Sequence, residues 1–211
     1  MQKNTKQKVR YYFDGFNFYR GLRSIEWKKY YWLDIVKFCK NWLKPYQELS
    51  KVKYFSSPHW DEVKAKRQNI FFSANCENDK FKLILGKFVM RPKLIDGKII
   101  NFRQEKKTDV AIASEMITDV ANHKCDISIL VSGDIDLIPA IKAIKKLKPD
   151  HKIFVYFPPN RSAWEIKRLS GKEIIKYVQL ERHQNKFESS MFPDEVELKN
   201  GIKLFRPDKW K

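Results

Sequence analysis

Cysteine is scarce and scattered in this chain, with Cys39, Cys76 and Cys125 its only representatives in 211 residues. An odd count at wide separations spells neither a disulfide framework nor a zinc knuckle, so reduced, structural thiols are expected. Histidine is equally thin, and His59, His123, His151 and His183 stand apart from every cysteine, which removes the usual zinc-ligand spacings. Long apolar runs are missing too: nothing approaches the roughly 18 residues that would span a bilayer. The opening MQKNTKQKVR lacks the apolar stretch of a signal peptide, and a cytoplasmic protein without membrane attachment is expected. Internal repeats are absent, as is any low-complexity tract beyond the lysines.

What the chain has in excess is positive charge. Lys and Arg number 43 against 25 Asp and Glu, for a net charge of +18. A surplus of that size is typical of chains that meet phosphate polyanions, so a nucleic acid is the first-choice partner. The bland alternative source of the surplus is a general lysine-, asparagine- and isoleucine-rich composition. With 43% hydrophobic and 14% aromatic residues the chain supports one medium domain with a real core.

Residues 1–8 read as a basic leader, 9–183 as the domain and 184–211 as an appendage. VRYYF (9–13) predicts a short buried strand that ends at Asp14-Gly15, and FNFYRGL the start of a helix. A helix over WLDIVKFCKNWL (32–43), a strand over KVKYFSS (51–57) and a helix with Val63, Ile70 and Phe71 on one face follow. Residues 81–102 read as strand, turn and strand, with Asp96-Gly97 as the hairpin signal. A third helix is predicted to start at Thr108 as N-cap, with Val110, Ala113, Met116, Ile117 and Val120 as its inner stripe. DISILVS (126–132) is apolar enough to be covered on both faces, which marks a parallel strand. DLIPAIKAIKKL, KIFVYF, SAWEIKRL and IIKYVQL then alternate helix and strand, and Asn200-Gly201 predicts a small terminal hairpin. The alternation implies an α/β fold with a doubly wound, mainly parallel sheet flanked by helices.

In such a sheet ligands bind outside the carboxyl ends of the central strands. Asp14, Asp134 and Asp136 fall at such ends, and Asp109, in the first turn of its helix, is expected to reach the same edge. Taken singly, each has a bland explanation: a helix cap, a turn, or a favourable charge at a helix start. Taken together, four carboxylates in one cleft demand a neutralising partner. An oxygen-only, cysteine-free ligand set suits Mg²⁺ or Mn²⁺. A basic protein with an acidic, metal-holding pocket has the parts that phosphodiester cleavage needs. Asp34, Asp79, Asp119 and Asp126 are read as surface or capping residues.

Three stretches also resemble a known family. YYFDGFNFYRG, EKKTDVAIASEMI and ILVSGDIDLIPAI are similar, in this order, to the motifs of NYN domains, a branch of the PIN-like ribonucleases. The tail PDEV…NGIKLFRPDKW is similar to the ending of many bacterial members. The resemblance implies a metal-dependent ribonuclease fold in which Asp14, Asp109, Asp134 and Asp136 bind the metal. It further implies that Asn17 and Ser132 hold the carboxylates or a substrate phosphate, and that Lys106 meets the scissile phosphate. Two departures stand out: Lys107 where the motif commonly has Gly, and Glu115 where many members have Asp. Lys107 either adds a phosphate contact or faces solvent.

For the path of the RNA the basic candidates are Lys142, Lys145, Lys146 and Lys148, then Arg161, Lys167 and Arg168. At helical spacing the lysines serve an ordinary solvated face equally well. The aromatic segment 22–50 offers Trp27, Trp32 and Trp42 either for stacking on bases or for the core, and WKKYYWL is available to bury against a second copy as a homodimer. The leading expectation is an endoribonuclease dependent on Mg²⁺ or Mn²⁺, and the alternative a non-catalytic RNA-binding or regulatory module of the same fold. A phosphotransferase of the haloacid-dehalogenase type needs its D-x-D on the first strand, where this chain carries only DGFN.

Overall fold

The computed structural model describes residues 6–95 and 98–211, and over 88–91 and 93–106 the backbone alone. In chain order the backbone forms strand β1 (Gln7–Asp14), helices α1 (Gly15–Ser24) and α2 (Ile35–Lys40), strand β2 (Gln47–Ser56), helix α3 (Glu62–Cys76) and strands β3 (Phe81–Leu85), β4 (Lys87–Ile95) and β5 (Lys98–Lys106). Helix α4 (Thr108–Ala121) leads to β6 (Ile127–Val131), α5 (Ile138–Leu147), β7 (Lys152–Phe157), α6 (Trp164–Ser170), β8 (Lys176–Gln179) and α7 (Gln184–Glu188). Short strands β9 (Glu195–Glu197) and β10 (Lys203–Phe205) pair antiparallel near the end of the chain.

The main sheet has six parallel strands in the order β3-β2-β1-β6-β7-β8. The chain winds outward from β1 to β3, returns to β6 beside β1, and winds outward again to β8. The strand order therefore reverses between β1 and β6, which opens a crevice at their carboxyl ends. Both strands are apolar on both faces, so each alternation of side chains feeds a different core. Tyr11, Phe13 and Ile129 join one cluster with α1, α2 and α3, whereas Tyr12 and Leu130 join another with α4, α5 and α6. This is the α/β fold with a doubly wound parallel sheet that the alternation of elements predicts.

Several details depart from the sequence reading. Residues 81–102 hold three strands rather than two: β3 extends the edge of the main sheet, and β4 and β5 pair only with each other. The Asp96-Gly97 tip lies outside the described residues. Val63 is 62% exposed, because the inner face of α3 is set by Phe71, Phe72 and Ala74 further along. On α4 the buried stripe is Ile112, Met116 and Val120, while Val110 is 71% exposed. Lys107, not Thr108, takes the N-cap position of that helix.

Asp119 is not a surface residue. It is buried, accepts from Tyr12 Oη at 2.8 Å and pairs with Arg10 at 2.6 Å and with Lys53, which also pairs with Glu115. Burial pushes its pKa up, but the bonds from Lys53, Arg10 and Tyr12 outweigh that and hold it below the ordinary carboxylate value. Asp34 does cap a helix, accepting from Lys37 N at 2.8 Å. Asp126 accepts from Lys8 N at 2.8 Å.

The aromatic segment is core. Tyr30 and Trp32 are fully buried, and Trp27 and Trp42 pack against the same cluster. The segment from Gln184 packs there as well: Phe187 sits among Phe18, Trp27, Tyr30 and Phe38, and Trp32 Nε1 donates to Pro193 O at 2.7 Å. Among the described residues no helix is long and apolar enough to cross a membrane.

His151, between α5 and β7, is buried, with Nε2 2.9 Å from Ser128 Oγ. Desolvation, then Lys148 and Lys145, push its pKa from 6.5 down to about 4, against a smaller opposing effect of Asp126. The fold thus prefers the neutral ring, and the stability it contributes is complete above the unfolded-state value and is lost as the pH falls towards 4. Between pH 7 and pH 4 that loss is on the order of 3 kcal/mol. Urea unfolding across this range is expected to show it, with His151→Gln giving a flatter profile; an unchanged slope in the variant would assign the acid sensitivity to other groups.

Candidate metal centre

The site is built where β1 and β6 end together. Asp14 closes β1, is buried, and caps α1: its Oδ1 accepts from Asn17 N at 2.9 Å. Its Oδ2 accepts from Ser132 Oγ at 2.9 Å, one residue past β6. Ser132 Oγ in turn accepts from Asp134 N at 3.0 Å. The Asn17 side chain reaches back across the crevice, its Oδ1 accepting from Gly133 N at 3.1 Å. These bonds tie the first turn of α1 to the loop after β6, so that two segments more than a hundred positions apart hold one geometry.

Asp134 accepts from Asp136 N at 2.9 Å and caps the short 3-10 turn Ile135–Leu137. Capping and ligation are compatible here, because a carboxylate that accepts one backbone bond per oxygen keeps further lone pairs. Asp109 arrives from the first turn of α4. One carboxylate oxygen from each of Asp14, Asp109 and Asp134 lies within 4.8 Å of the others. At about 4 Å two unit charges repel by roughly 1–4 kcal/mol, depending on screening. Ordinary helix caps contribute about 1 kcal/mol each, so capping alone does not account for placing three acids together.

Asp136 is exposed and is not one of the three. Glu115 pairs with Lys53 of β2 rather than joining the group. The Lys106 side chain lies outside the described residues. Lys107 is exposed. Lys142 and Lys146 are exposed on α5, whereas Lys145 is engaged by the carbonyls of Pro149 and His151 at 2.6 and 2.8 Å, where it closes the end of its helix. Arg168 stands over the Trp164 ring at 5.1 Å.

Residues 160–162 form a wall of the site that no local motif announces. An open cleft of about 350 Å³ beside Asp134 is lined by Asn17, Gly133, Asn160, Arg161 and Ser162. Gly133 is required there: a Cβ on it would stand 1.6 Å from Arg161 O. The only cue was the glycine of SGD itself. Another cleft of about 360 Å³, lined by Lys8, Arg10, Lys80, His123 and Lys124, lies at the opposite ends of β1 and β2, away from the acids.

The NYN domain profile matches residues 8–177. The chain belongs to the NYN domain family. It is similar to 6-hydroxy-3-succinoylpyridine 3-monooxygenase HspA of Pseudomonas putida, at 24% identity over 83% of this chain. That match takes in 66% of the relative, so the chain spans just under two thirds of its length. A crystal structure of a protein of unknown function from Vibrio parahaemolyticus shares the fold, with a TM-score of 0.55 and 17% identity over 91% of this chain and 100% of that one. In this NYN domain the three gathered aspartates come one from each of the family-like stretches at residues 11–21, 105–117 and 129–141.

The Gly-to-Lys departure now has a physical meaning. Lys107 has φ 79°, the left-handed region that glycine enters freely and other residues enter at about 1–2 kcal/mol. Lys107→Gly is therefore expected to raise unfolding stability by about 1 kcal/mol, read by chemical denaturation; a loss of stability would mean that the lysine side chain contributes more than its backbone costs. Gly133→Ala should act in the opposite direction, by roughly 1–3 kcal/mol as for other overpacked sites, and a neutral result would contradict the tight approach to Arg161 O.

Proposed function

We propose that the protein is a metal-dependent endoribonuclease that hydrolyses RNA phosphodiester bonds at the aspartate cluster. The observation that carries this reading is the gathering of Asp14, Asp109 and Asp134 at the point where the strand order reverses. Three carboxylates with no sulfur or imidazole among them fit a hard divalent cation, Mg²⁺ or Mn²⁺. Asp14, Asp109 and Asp134 would hold it, with Asp136 at the exposed rim. When bound, such an ion activates water and stabilises the charge that develops on a leaving oxygen.

The chain's own residues do the rest. Ser132 and Asn17 fix the orientation of Asp14 and of the loop that carries Asp134, so the carboxylates need little reorganisation when substrate arrives. Arg161 borders the cleft and offers a fixed cation to a phosphate. By the motif it matches, Lys106 would meet the scissile phosphate; Lys107, Lys142, Lys146 and Arg168 extend the positive surface along the RNA, and Lys145, engaged by carbonyls, contributes its charge more than a contact. The net charge of +18 draws the polyanion towards a site that is itself acidic.

The similarity to a protein named as a monooxygenase raises an oxidative reading. The oxygen-only ligand set favours hydrolysis, because iron oxygenases of the facial-triad kind pair two imidazoles with one carboxylate. A binding module that cleaves nothing is the other alternative, and concentrated negative charge at the approach of a polyanion counts against it. A panel of labelled RNAs with and without Mg²⁺ or Mn²⁺ separates hydrolysis from the other two. Cleavage is expected only with metal, and Asp134→Asn should lower it by at least a hundredfold while RNA affinity in chelator changes little. Undiminished turnover by the purified variant would refute the assignment.

A further inference from the structure

Trp164 is the first residue of α6 and is 65% exposed, although that helix buries Ile166 and Leu169 and draws its packing from them. An indole left in water by a helix that does not need it is a ready surface for another flat ring. A cation backs it: Arg168 lies 5.1 Å over the ring.

The position of Trp164 relative to the acids is fixed from behind. Gly133 abuts Arg161 O, and Gly21 abuts Pro158 and Pro159, where a Cβ would come within 2.7 Å of Pro158 Cβ. Arg161 N also donates to Pro158 O at 3.0 Å. The stretch 158–163 is thus clamped between α1 and the loop that carries Asp134. Trp164 lies three positions beyond Arg161, a span of at most about 11 Å. Arg161 itself brings a second sign of a ligand: its Nε is buried without a hydrogen-bond partner among the described residues, a state that buried donors seldom keep.

We propose that Arg161 and Trp164 form a nucleotide subsite for single-stranded RNA next to the aspartate cluster. Arg161 takes a backbone phosphate, and Trp164, backed by Arg168, stacks on the base of a neighbouring, unpaired nucleotide. The chemistry recognises a flat base on a flexible strand and is indifferent to which base it is, since every base has a π-face. A continuous duplex keeps its bases stacked on one another and offers no free face, so the subsite selects single strands. This assignment rests on RNA being the substrate of the aspartate site.

Fluorescence anisotropy of labelled single-stranded oligouridylate and oligoadenylate, in chelator, measures it without cleavage. Trp164→Ala is expected to weaken both by roughly tenfold, with Trp164→Phe retaining most of the affinity and a duplex of matched length bound equally by all three proteins. Equal single-strand affinity for wild type and Trp164→Ala, or an equal loss on the duplex, overturns the subsite and leaves the ribonuclease reading intact. A Trp164 effect on binding in a protein that cleaves no RNA with any metal upholds the subsite and ends that reading. Failure of the wild type to bind single-stranded RNA, in chelator and with Mg²⁺ or Mn²⁺ alike, ends both.

Discussion

The hydrogen bond from Ser132 Oγ to Asp14 Oδ2 joins the ends of the two central strands, and the rest of the site hangs on it. Parallel pairing places β1 and β6 side by side, but pairing alone does not say how their following loops face each other. One hydroxyl does so by serving two partners, donating to Asp14 and accepting from Asp134 N. Asn17 repeats the link from the other side through Gly133 N. Acids that would otherwise move apart are held by bonds to a buried carboxylate, which are among the stronger kind.

The surface and the site are set against each other electrostatically. A chain with a net charge of +18 draws polyanions from a distance, while the crevice at its centre collects negative charge. The two are reconciled if a divalent ion sits between them, since it converts an anionic nest into a patch that a phosphate can approach. Other acids of the chain are answered by fixed cations instead. Asp119, with Arg10, Lys53 and Tyr12 around it, is satisfied within the protein and stiffens the packing of α4 on β1 and β2.

Much of this was legible in the sequence, for reasons that can be named. YYF and ILV are apolar on both faces, so they fixed β1 and β6 as central strands, and the aspartates that follow them marked the carboxyl edge. Asp109 was placed correctly because it lies in the first turn of its helix. The rotation of α4 is not legible locally, because Val110 and Ile112 both suit an apolar stripe and only tertiary packing chooses Ile112. The split of residues 81–102 was hidden because FKLIL and KFVM read as one apolar run across Gly86. Asp119 looked like a surface acid because its cationic partners lie on β1 and β2, far away in sequence. Arg161 was visible only as a charge; its role as the wall of the cleft depends on the close approach of its carbonyl to Gly133. Nothing local distinguished Phe187 or Trp210 in a polar tail as parts of the core.

Asp14, Asp109 and Asp134 are expected to act together as one ligand for a divalent cation. Calorimetric titration of Mn²⁺ into the wild-type protein and into Asp109→Asn measures this without any substrate. A saturable site is expected in the wild type, with affinity lower by at least tenfold in the variant, whose fold, read by circular dichroism, stays the same. Absence of Mn²⁺ and Mg²⁺ uptake by the folded wild type, or equal uptake by the variant, would contradict it.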